Sequence, residues 1–278
     1  MKHPWPPLSA DAPIGVFDSG IGGLSVLRAL RALLPDERFV YLADSGHAPY
    51  GERGEAHAVS RAFAVTEELR KQHGIKGLVI ACNTATTAAI DLLRIEHADL
   101  PLVGVEPAVK PALASSRSGR VGVMGTRGTL ASARFARLIA SWSAQGEIVA
   151  QPCDGLAIAI EDEISEPGLE SVATTDALCE QYIRGMGEFG DGADQIDTLV
   201  LGCTHYVFAE LSIKRALRGA RVELIETGEA VARQTRRLLE QRGLLGRGGQ
   251  AGVTMVSTGD ARLLEAAADR WLGKRKAS

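Results

Sequence analysis

Short apolar runs separated by helical patterns constrain this chain more than any other feature. The runs are four or five residues long and rich in β-branched residues, as buried strands are, and helical patterns lie between most of them. This alternation is typical of βαβ units and predicts an α/β fold with mainly parallel sheets flanked by helices. The predicted strands are Ile14 to Phe17, Phe39 to Ala43, Gly77 to Ala81, Leu102 to Val105, Arg120 to Met124, Ile148 to Gln151, Thr198 to Leu201, Val222 to Ile225 and Val253 to Ser257.

Nine strands are many for one compact sheet, so two smaller sheets are expected. With 278 residues and 45% hydrophobic content, the chain is long enough for two domains. A weak internal echo points the same way, because Ile14-Gly15-Val16-Phe17-Asp18-Ser19 resembles Val121-Gly122-Val123-Met124-Gly125-Thr126. Strand starts of the Gly-Val type also recur by chance in α/β proteins. Spacing alone therefore leaves duplication and coincidence about equally open.

Two cysteines stand in matching local sequences. The segments are Val79-Ile80-Ala81-Cys82-Asn83-Thr84 and Val200-Leu201-Gly202-Cys203-Thr204-His205. Each thiol is predicted at the carboxyl end of a buried strand, which is where open α/β sheets bind ligands. Two thiols offered to one small substrate from two sides are what proton transfer on both faces of a carbon needs.

Two polar loops follow other predicted strands. Asp18-Ser19-Gly20-Ile21-Gly22-Gly23-Leu24 is glycine-rich, so its backbone can approach a ligand closely. It has neither the spacing of a dinucleotide fingerprint nor the Gly-Lys-Ser/Thr of a P-loop, and helix capping by Asp18 is the structural alternative. Asp44-Ser45-Gly46-His47-Ala48-Pro49-Tyr50-Gly51 is the second such loop. We interpret the first loop as part of a ligand site.

Composition and charge argue against several classes of partner. The net charge is −3, and the basic residues are dispersed apart from Lys274-Arg275-Lys276, so no nucleic-acid partner is expected. No stretch has the length of a membrane span or the form of a signal peptide, which predicts a cytoplasmic protein without a membrane partner. The proline-rich stretch from Met1 to Ala12 is predicted to be an extended arm outside the catalytic machinery.

The cysteines and histidines do not have the spacing of a metal site. The four cysteines are far apart and lack a Cys-x-x-Cys motif, and the six histidines are scattered, so free thiols and no metal are expected. Cys153 and Cys179 are predicted to be packing residues in the core.

The motifs together resemble those of the glutamate racemases, cofactor-independent enzymes of the aspartate/glutamate racemase family. The matching segments run in the same order from residue 14 to the last predicted helix. They are Gly15 to Leu24, Ala48 to Gly51, Ala81 to Ala85, Gly104 to Ala108, Leu201 to Tyr206 and Ser257 to Asp260.

The resemblance implies two pseudo-symmetric α/β domains with the active site in the cleft between them. It places residues 1–106 and 226–278 in a discontinuous first domain with Cys82, and residues 107–225 in a second domain with Cys203. It further implies that these two cysteines are the acid/base pair, assisted by Asp18 and His205. Glu161 is mapped as the acidic residue of the second domain through a looser alignment.

The resemblance also implies a set of substrate-binding residues. They are Asp18, Ser19, Tyr50, Gly51, Asn83, Thr84, Thr126, Thr204 and His205. Two positions depart from the usual pattern of the family, since Asp154 and Val207 stand where many members have proline. Neither departure touches a thiol, so only the local shape of the loops is in question.

The function implied is interconversion of L- and D-glutamate without a cofactor, in a homodimer that supplies D-glutamate for bacterial peptidoglycan. Pyridoxal phosphate would require an anchoring lysine beside a phosphate loop, and none of the seven lysines lies in such a motif. Two alternatives stay open. One is a racemase of aspartate or another acidic amino acid, and the other is a non-catalytic two-domain protein that binds a ligand.

Overall fold

The structure, a computed structural model, describes residues 5–246, 248 and 251–273. The basic segment Lys274-Arg275-Lys276 lies outside the described residues, as do the first four residues of the predicted arm. The chain forms two compact units. Unit 1 contains the described residues up to Val105 and from Gly228 onward, and unit 2 is Glu106–Thr227.

All nine predicted strands are present, and no observed end differs from the predicted one by more than one residue. The strands are β1 (Ile14–Asp18), β2 (Arg38–Ala43), β3 (Gly77–Ile80), β4 (Leu102–Gly104), β5 (Arg120–Gly125), β6 (Glu147–Pro152), β7 (Thr198–Leu201), β8 (Glu223–Ile225) and β9 (Gly252–Ser257). Every pairing between them is parallel. The predicted fold class, α/β with two parallel sheets flanked by helices, is confirmed.

Helices connect the strands, as parallel pairing requires. They are α1 (Leu24–Leu33), α2 (Tyr50–Arg53), α3 (Glu55–His73), α4 (Asn83–Glu96), α5 (Val109–Ser115), α6 (Arg127–Leu130), α7 (Ala133–Trp142), α8 (Leu156–Ser165), α9 (Leu169–Met186), α10 (Glu210–Ala216), α11 (Gly228–Gln241) and α12 (Ala261–Leu272). Among the described residues, no helix combines the length and apolar character needed to cross a membrane.

The two units repeat one strand order. Unit 1 has the order β4-β3-β1-β2-β9 and unit 2 has the order β6-β5-β7-β8. Read in the opposite direction, unit 2 becomes β8-β7-β5-β6, which matches the first four strands of unit 1 one for one. In each unit the first strand is therefore flanked by the second and third, and the third strand leads to a cysteine motif. This repetition accounts for the pseudo-symmetry.

Gly15 and Gly122, which match in the two similar segments, are both closely packed against a side chain. A β-carbon on Gly15 of β1 would lie 2.9 Å from Ile75 Cδ1, and one on Gly122 of β5 would lie 2.7 Å from Met186 Cε. At both positions a side chain from outside the sheet packs directly over the central strand. The shared Gly-Val pattern thus reflects equivalent packing of two equivalent strands.

Each unit has its own apolar core. In unit 1, side chains of α3 and α4 such as Leu69 and Leu93 pack with Phe17 and Ile80 from the sheet. In unit 2, Val121, Val123 and Val200 from the sheet pack with Phe135 of α7 and Leu113 of α5. Strands covered by helices in this way have continuous apolar sequences, which explains why their ends could be predicted to within one residue.

The described part of the N-terminal arm packs on unit 1. The guanidinium carbon of Arg70 lies 4.2 Å from the ring centroid of Trp5, and the His97 ring is 5.9 Å from the same ring. Leu8 packs against the core, and the buried Lys76 ammonium donates to the carbonyl of Ala10. The arm therefore contributes to packing, and its predicted lack of a part in catalysis stays a prediction.

In unit 2, a buried carboxylate joins the two segments that precede β5 and β7. Asp197 is 5% exposed and accepts hydrogen bonds from the Ser116 hydroxyl at 2.6 Å and from the backbone amides of Arg117 and Ser118 at 2.7 and 2.9 Å. Burial alone would raise the pKa of Asp197, but these hydrogen bonds and that from Thr198 outweigh it and lower the pKa to about 2.

We expect Asp197→Asn to lower the free energy of unfolding by about 1–3 kcal/mol at neutral pH, because an amide replaces a carboxylate acceptor that serves several donors. The carboxylate's contribution is full above its unfolded pKa near 3.8 and is lost as pH falls toward 2. Urea denaturation at several pH values measures both effects. The exposed Asp191→Asn is the control, and equal stability losses in the two variants would contradict the assignment.

Candidate active site

In unit 1, the loop after β1 is held in a tight conformation. Asp18 is fully buried, and its Oδ1 accepts a hydrogen bond from the Gly20 amide at 2.8 Å. The hydroxyl of buried Tyr41 donates to the Gly20 carbonyl at 2.9 Å. A β-carbon on Gly23 would lie 2.7 Å from Cβ of Asp18, so the loop needs glycine at this point. Asp18 stabilises the turn of its own loop. The N-cap position of α1 is occupied by Gly23, which has no side chain to cap the helix.

Cys82 lies between the end of β3 and the start of α4. Its side chain caps the helix, with the Ala85 amide 3.4 Å from Sγ, and the Ser19 hydroxyl lies 3.5 Å from the same sulfur. Because a thiolate is the better acceptor, the amide at the helix N-terminus favours the ionised form of this thiol. Cys82 is 5% exposed. Its side chain packs with the apolar core of unit 1, while its sulfur has these two polar neighbours.

Asn83 follows Cys82 with its side-chain amide buried. The residue is 3% exposed, and neither its amide nitrogen nor its amide oxygen has a hydrogen-bond partner among the described residues. Buried polar atoms are nearly always paired in folded proteins. The orphaned amide is therefore suited to a polar ligand beside Cys82. Thr84, the next predicted binding residue, is half-buried in the first turn of α4.

The loop after β2 brings Tyr50 and Gly51 to the same edge of the sheet. The Tyr50 side chain is 1% exposed, and its hydroxyl donates to Asp44 Oδ2 at 2.5 Å. Burial and this hydrogen bond raise the pKa of Tyr50 well above its usual value, so the phenol stays neutral. Gly51 is half-buried in the short helix α2. Because β2 and β3 both flank β1, the structure brings all the predicted residues of unit 1 to one edge.

In unit 2, the second cysteine is the first of three side chains that contact one another in series. Cys203 follows β7 and is 6% exposed, and its Sγ lies 3.6 Å from His205 Nδ1. The other ring nitrogen of His205, Nε2, lies 2.8 Å from Glu161 Oε1 on α8. Burial alone lowers the pKa of His205, but the contacts with Cys203 and Glu161 outweigh it and raise the pKa well above its usual range. The imidazolium form is thereby favoured beside the thiol.

The other predicted residues of unit 2 lie at the same edge of its sheet. Thr126 follows β5 and caps α6, with its hydroxyl 2.9 Å from Thr129 Oγ1 and its oxygen accepting from the Thr129 amide. Thr204 is 4% exposed beside Cys203. Thr126 is thus engaged in its own helix cap, a structural task that the sequence did not indicate.

The two departures from the usual pattern of the family are accommodated locally. Asp154 pairs with Arg127, and its carbonyl accepts from the Tyr182 hydroxyl at 2.6 Å. Val207 is half-buried in a 3₁₀ turn over Tyr206–Ala209. Among the described residues, neither side chain forms a hydrogen bond or ion pair with a thiol.

Cys153 and Cys179 are buried, as predicted. Burial raises the pKa of Cys179 to about 12 and that of Cys153 well above its usual value, so both thiols stay protonated. Within the part of the chain that the structure describes, no cluster of three or more histidine, cysteine or acidic side chains is arranged to hold a metal ion.

Three side chains at the unit 1 site were not predicted from the sequence. Tyr41 supports the loop after β1, whereas Arg61 and Thr258 contact Asp44. Thr258 stands in a segment that carries the family resemblance, so its motif was a signal without an assigned part. Arg61 lies in the middle of α3 in no motif, and only its proximity in the fold marks it.

The sequence matches one protein family over most of its length. A profile of the family described as Asp/Glu/Hydantoin racemase matches residues 15–235. A glutamate racemase from Ectopseudomonas mendocina is 46% identical over 266 residues, which cover 96% of this chain and 97% of the relative. A glutamate racemase from Ralstonia pickettii is 48% identical over 267 residues, which cover 95% of this chain and 89% of the relative.

Solved structures agree with the sequence relatives. Glutamate racemase isoform RacE1 from Bacillus anthracis superposes with a TM-score of 0.82 at 33% identity, covering 95% of each chain. The Escherichia coli glutamate racemase, solved with L-glutamate and an activator, gives 0.80 at 31% identity, covering 94% of this chain and 95% of that one. This chain therefore belongs to the Asp/Glu/Hydantoin racemase family.

Proposed function

We propose that this protein interconverts L- and D-glutamate without a cofactor, with one cysteine removing the α-proton and another donating a proton to the opposite face. The observation that carries the proposal is that each unit presents one buried cysteine at the carboxyl end of its third strand, and each thiol has a polar assistant of its own. Relatives at 46–48% identity that bear the name glutamate racemase support the choice of substrate.

The proposed reaction needs one thiolate and one thiol in each turnover. The thiolate removes the α-proton, the electron pair stays on the substrate as a carbanion, and the thiol on the opposite face donates its proton to that carbon. A free cysteine has a pKa of about 8.5, so most thiols are protonated at neutral pH and the site must favour thiolate where it is needed. The two cysteines exchange protonation states when the direction reverses.

The two thiols meet this need by different means. Cys82 is supported by the amide of Ala85 at the start of α4, and Cys203 by the imidazole of His205. Glu161 raises the pKa of His205 and thereby favours a cationic partner for a Cys203 thiolate. By family resemblance, we assign deprotonation of D-glutamate to Cys82 and of L-glutamate to Cys203.

The α-proton of an amino acid is only weakly acidic, so the substrate must be held by donors that stabilise developing negative charge. We propose that Asn83 is one of these donors, because its side-chain amide is buried beside Cys82 and has no hydrogen-bond partner among the described residues. We propose that the remaining predicted residues at the two sheet edges share the task of binding the amino acid, Gly51 through its backbone. They are Asp18, Ser19, Tyr50, Gly51, Thr84, Thr126, Thr204 and His205.

We further propose that the two units are the two domains of the enzyme. Family resemblance also supports a cytoplasmic homodimer that supplies D-glutamate for peptidoglycan. Gel filtration with light scattering tests the dimer.

The function is tested by circular dichroism of L-glutamate and L-aspartate solutions incubated with the purified protein and no added cofactor. We expect the L-glutamate signal to decay to zero and the L-aspartate signal to persist. Decay of the aspartate signal alone would replace glutamate with aspartate as the substrate. Persistence of both signals would contradict the proposal.

Replacing either proposed catalytic cysteine should greatly slow racemisation in both directions. Each direction uses one thiol as base and the other as acid, so Cys82→Ser and Cys203→Ser are each expected to lower kcat by about 10²-fold to 10⁴-fold. Initial rates from both enantiomers measure the loss. Cys179→Ala removes an equally buried thiol from α9 and should leave kcat unchanged. A variant of Cys82 or Cys203 with wild-type rates would contradict the two-thiol mechanism.

Glu161→Gln tests the assistant of Cys203. Loss of the carboxylate should lower the pKa of His205, so the imidazolium is lost at lower pH and the alkaline limb of the kcat profile moves to lower pH. We expect kcat to fall by about tenfold near neutral pH with little change in KM, since one charge-assisted contact is weakened. Asp162→Asn, exposed on the same helix, is the control. A rise in KM with an unmoved pH profile would assign Glu161 to substrate binding instead.

A further inference from the structure

Asp44 is a fully buried carboxylate at the end of β2. Arg61 of α3 binds both of its oxygens, with hydrogen bonds from Nε to Oδ2 at 2.8 Å and from Nη2 to Oδ1 at 2.9 Å. The Arg61 side chain is itself 20% exposed, so the pair lies largely out of water. Paired geometry of this kind fixes direction as well as distance, which a single contact between point charges does not.

Three further side chains converge on the same carboxylate. Tyr50 donates to Oδ2 at 2.5 Å, Thr258 donates to Oδ1 at 2.8 Å, and His47 Nδ1 lies 3.0 Å from Oδ1. Burial alone would raise the pKa of Asp44, but the hydrogen bonds from Arg61, Tyr50 and Thr258 outweigh it and lower the pKa. The carboxylate therefore stays ionised and keeps its acceptors for these donors.

Thr258 joins the segment after β9 to the loop that carries Tyr50. Its amide donates to the Ala43 carbonyl at 3.0 Å, and its hydroxyl accepts from the Gly46 amide at 3.2 Å. A β-carbon on Gly46 would lie 2.6 Å from the Thr258 carbonyl oxygen, so the two backbones pack with no room for a side chain. The loop between Asp44 and Tyr50 is thus tied at both of its ends.

We infer that Arg61 and Thr258 are positioning residues for the proposed racemase reaction: acting through Asp44, they fix the Tyr50 hydroxyl and the adjoining Gly51 backbone where the substrate binds. This inference rests on the proposed function. Neither residue needs to touch the substrate. Asp44 links them to Tyr50, and all the contacts lie within unit 1.

A second ion pair on α3 provides a matched control. Arg70 lies nine residues after Arg61 and binds Asp99 through Nη1 and Nη2 at 3.0 and 2.5 Å. It packs with Trp5 and His97, away from Asp44. A general loss of helix anchoring should therefore follow from replacing either arginine, whereas a loss of loop position should follow from Arg61 alone.

The test measures KM and kcat for both glutamate enantiomers, with thermal stability, in Arg61→Gln, Arg61→Lys, Thr258→Val and Arg70→Gln. We expect Arg61→Gln to raise KM by about tenfold in both directions and to change kcat less, the loss of one charge-assisted contact at a binding group. Lysine keeps the charge without the paired geometry, so Arg61→Lys should fall between Arg61→Gln and the wild type. Thr258→Val should raise KM by about threefold, and Arg70→Gln should lower Tm with KM unchanged.

The outcomes separate this inference from the proposed function. If the wild type does not racemise glutamate, the proposed function fails before any variant is compared. If the wild type is active but Arg61→Gln and Thr258→Val keep its KM and lose only stability or active fraction, the inference is overturned while the function stands. Should Arg61→Gln not fold, Arg61→Lys and Thr258→Val decide the question alone, since unchanged KM in both would overturn the inference.

Discussion

Parallel pairing of the third strand of each unit with the central strand fixes where the two thiols lie. In unit 1 the pairing continues past β3, because the Ala81 amide donates to the Phe17 carbonyl at 2.8 Å. In unit 2 the Gly202 amide donates to the Met124 carbonyl at 2.7 Å in the same way. Each cysteine is the next residue along the chain, so these hydrogen bonds between strands fix its position at the carboxyl end of the sheet. The loops, caps and polar side chains of both sites are arranged around these two fixed points.

The repeated scaffold carries unequal chemistry. Cys82 faces fixed backbone dipole, since an amide of α4 points at its sulfur, and that support does not titrate. Cys203 depends on His205 and Glu161, a support that is lost when the imidazolium loses its proton. A fold that is nearly symmetric in strand order thus gives its two thiols chemically different neighbours. This asymmetry suits the proposed reaction, in which one thiol removes the α-proton of L-glutamate and the other removes that of D-glutamate.

Local sequence predicted the strands and both cysteine positions because each depends on a short contiguous pattern, an apolar run followed by small polar residues. The mapping of Glu161 needed family resemblance, since α8 carries no pattern that points to His205, 44 residues away. Contacts of Asp44 with Arg61 and Thr258 were not predictable, because they join segments 17 and 214 residues apart that only the fold brings together. Helix capping by Thr126 was missed because a capping threonine and a ligand-binding threonine look alike at a strand end.

The central claim, that the two thiols serve opposite faces of one carbon, is tested most directly with a glutamate that carries chlorine on its β-carbon. Removal of the α-proton by one base expels chloride and forms a carbon–carbon double bond, so this reaction needs only one thiol. Chloride release from each enantiomer is measured with Cys82→Ser and with Cys203→Ser. We expect Cys82→Ser to process only the L enantiomer and Cys203→Ser only the D enantiomer. The same enantiomer preference in both variants would contradict it.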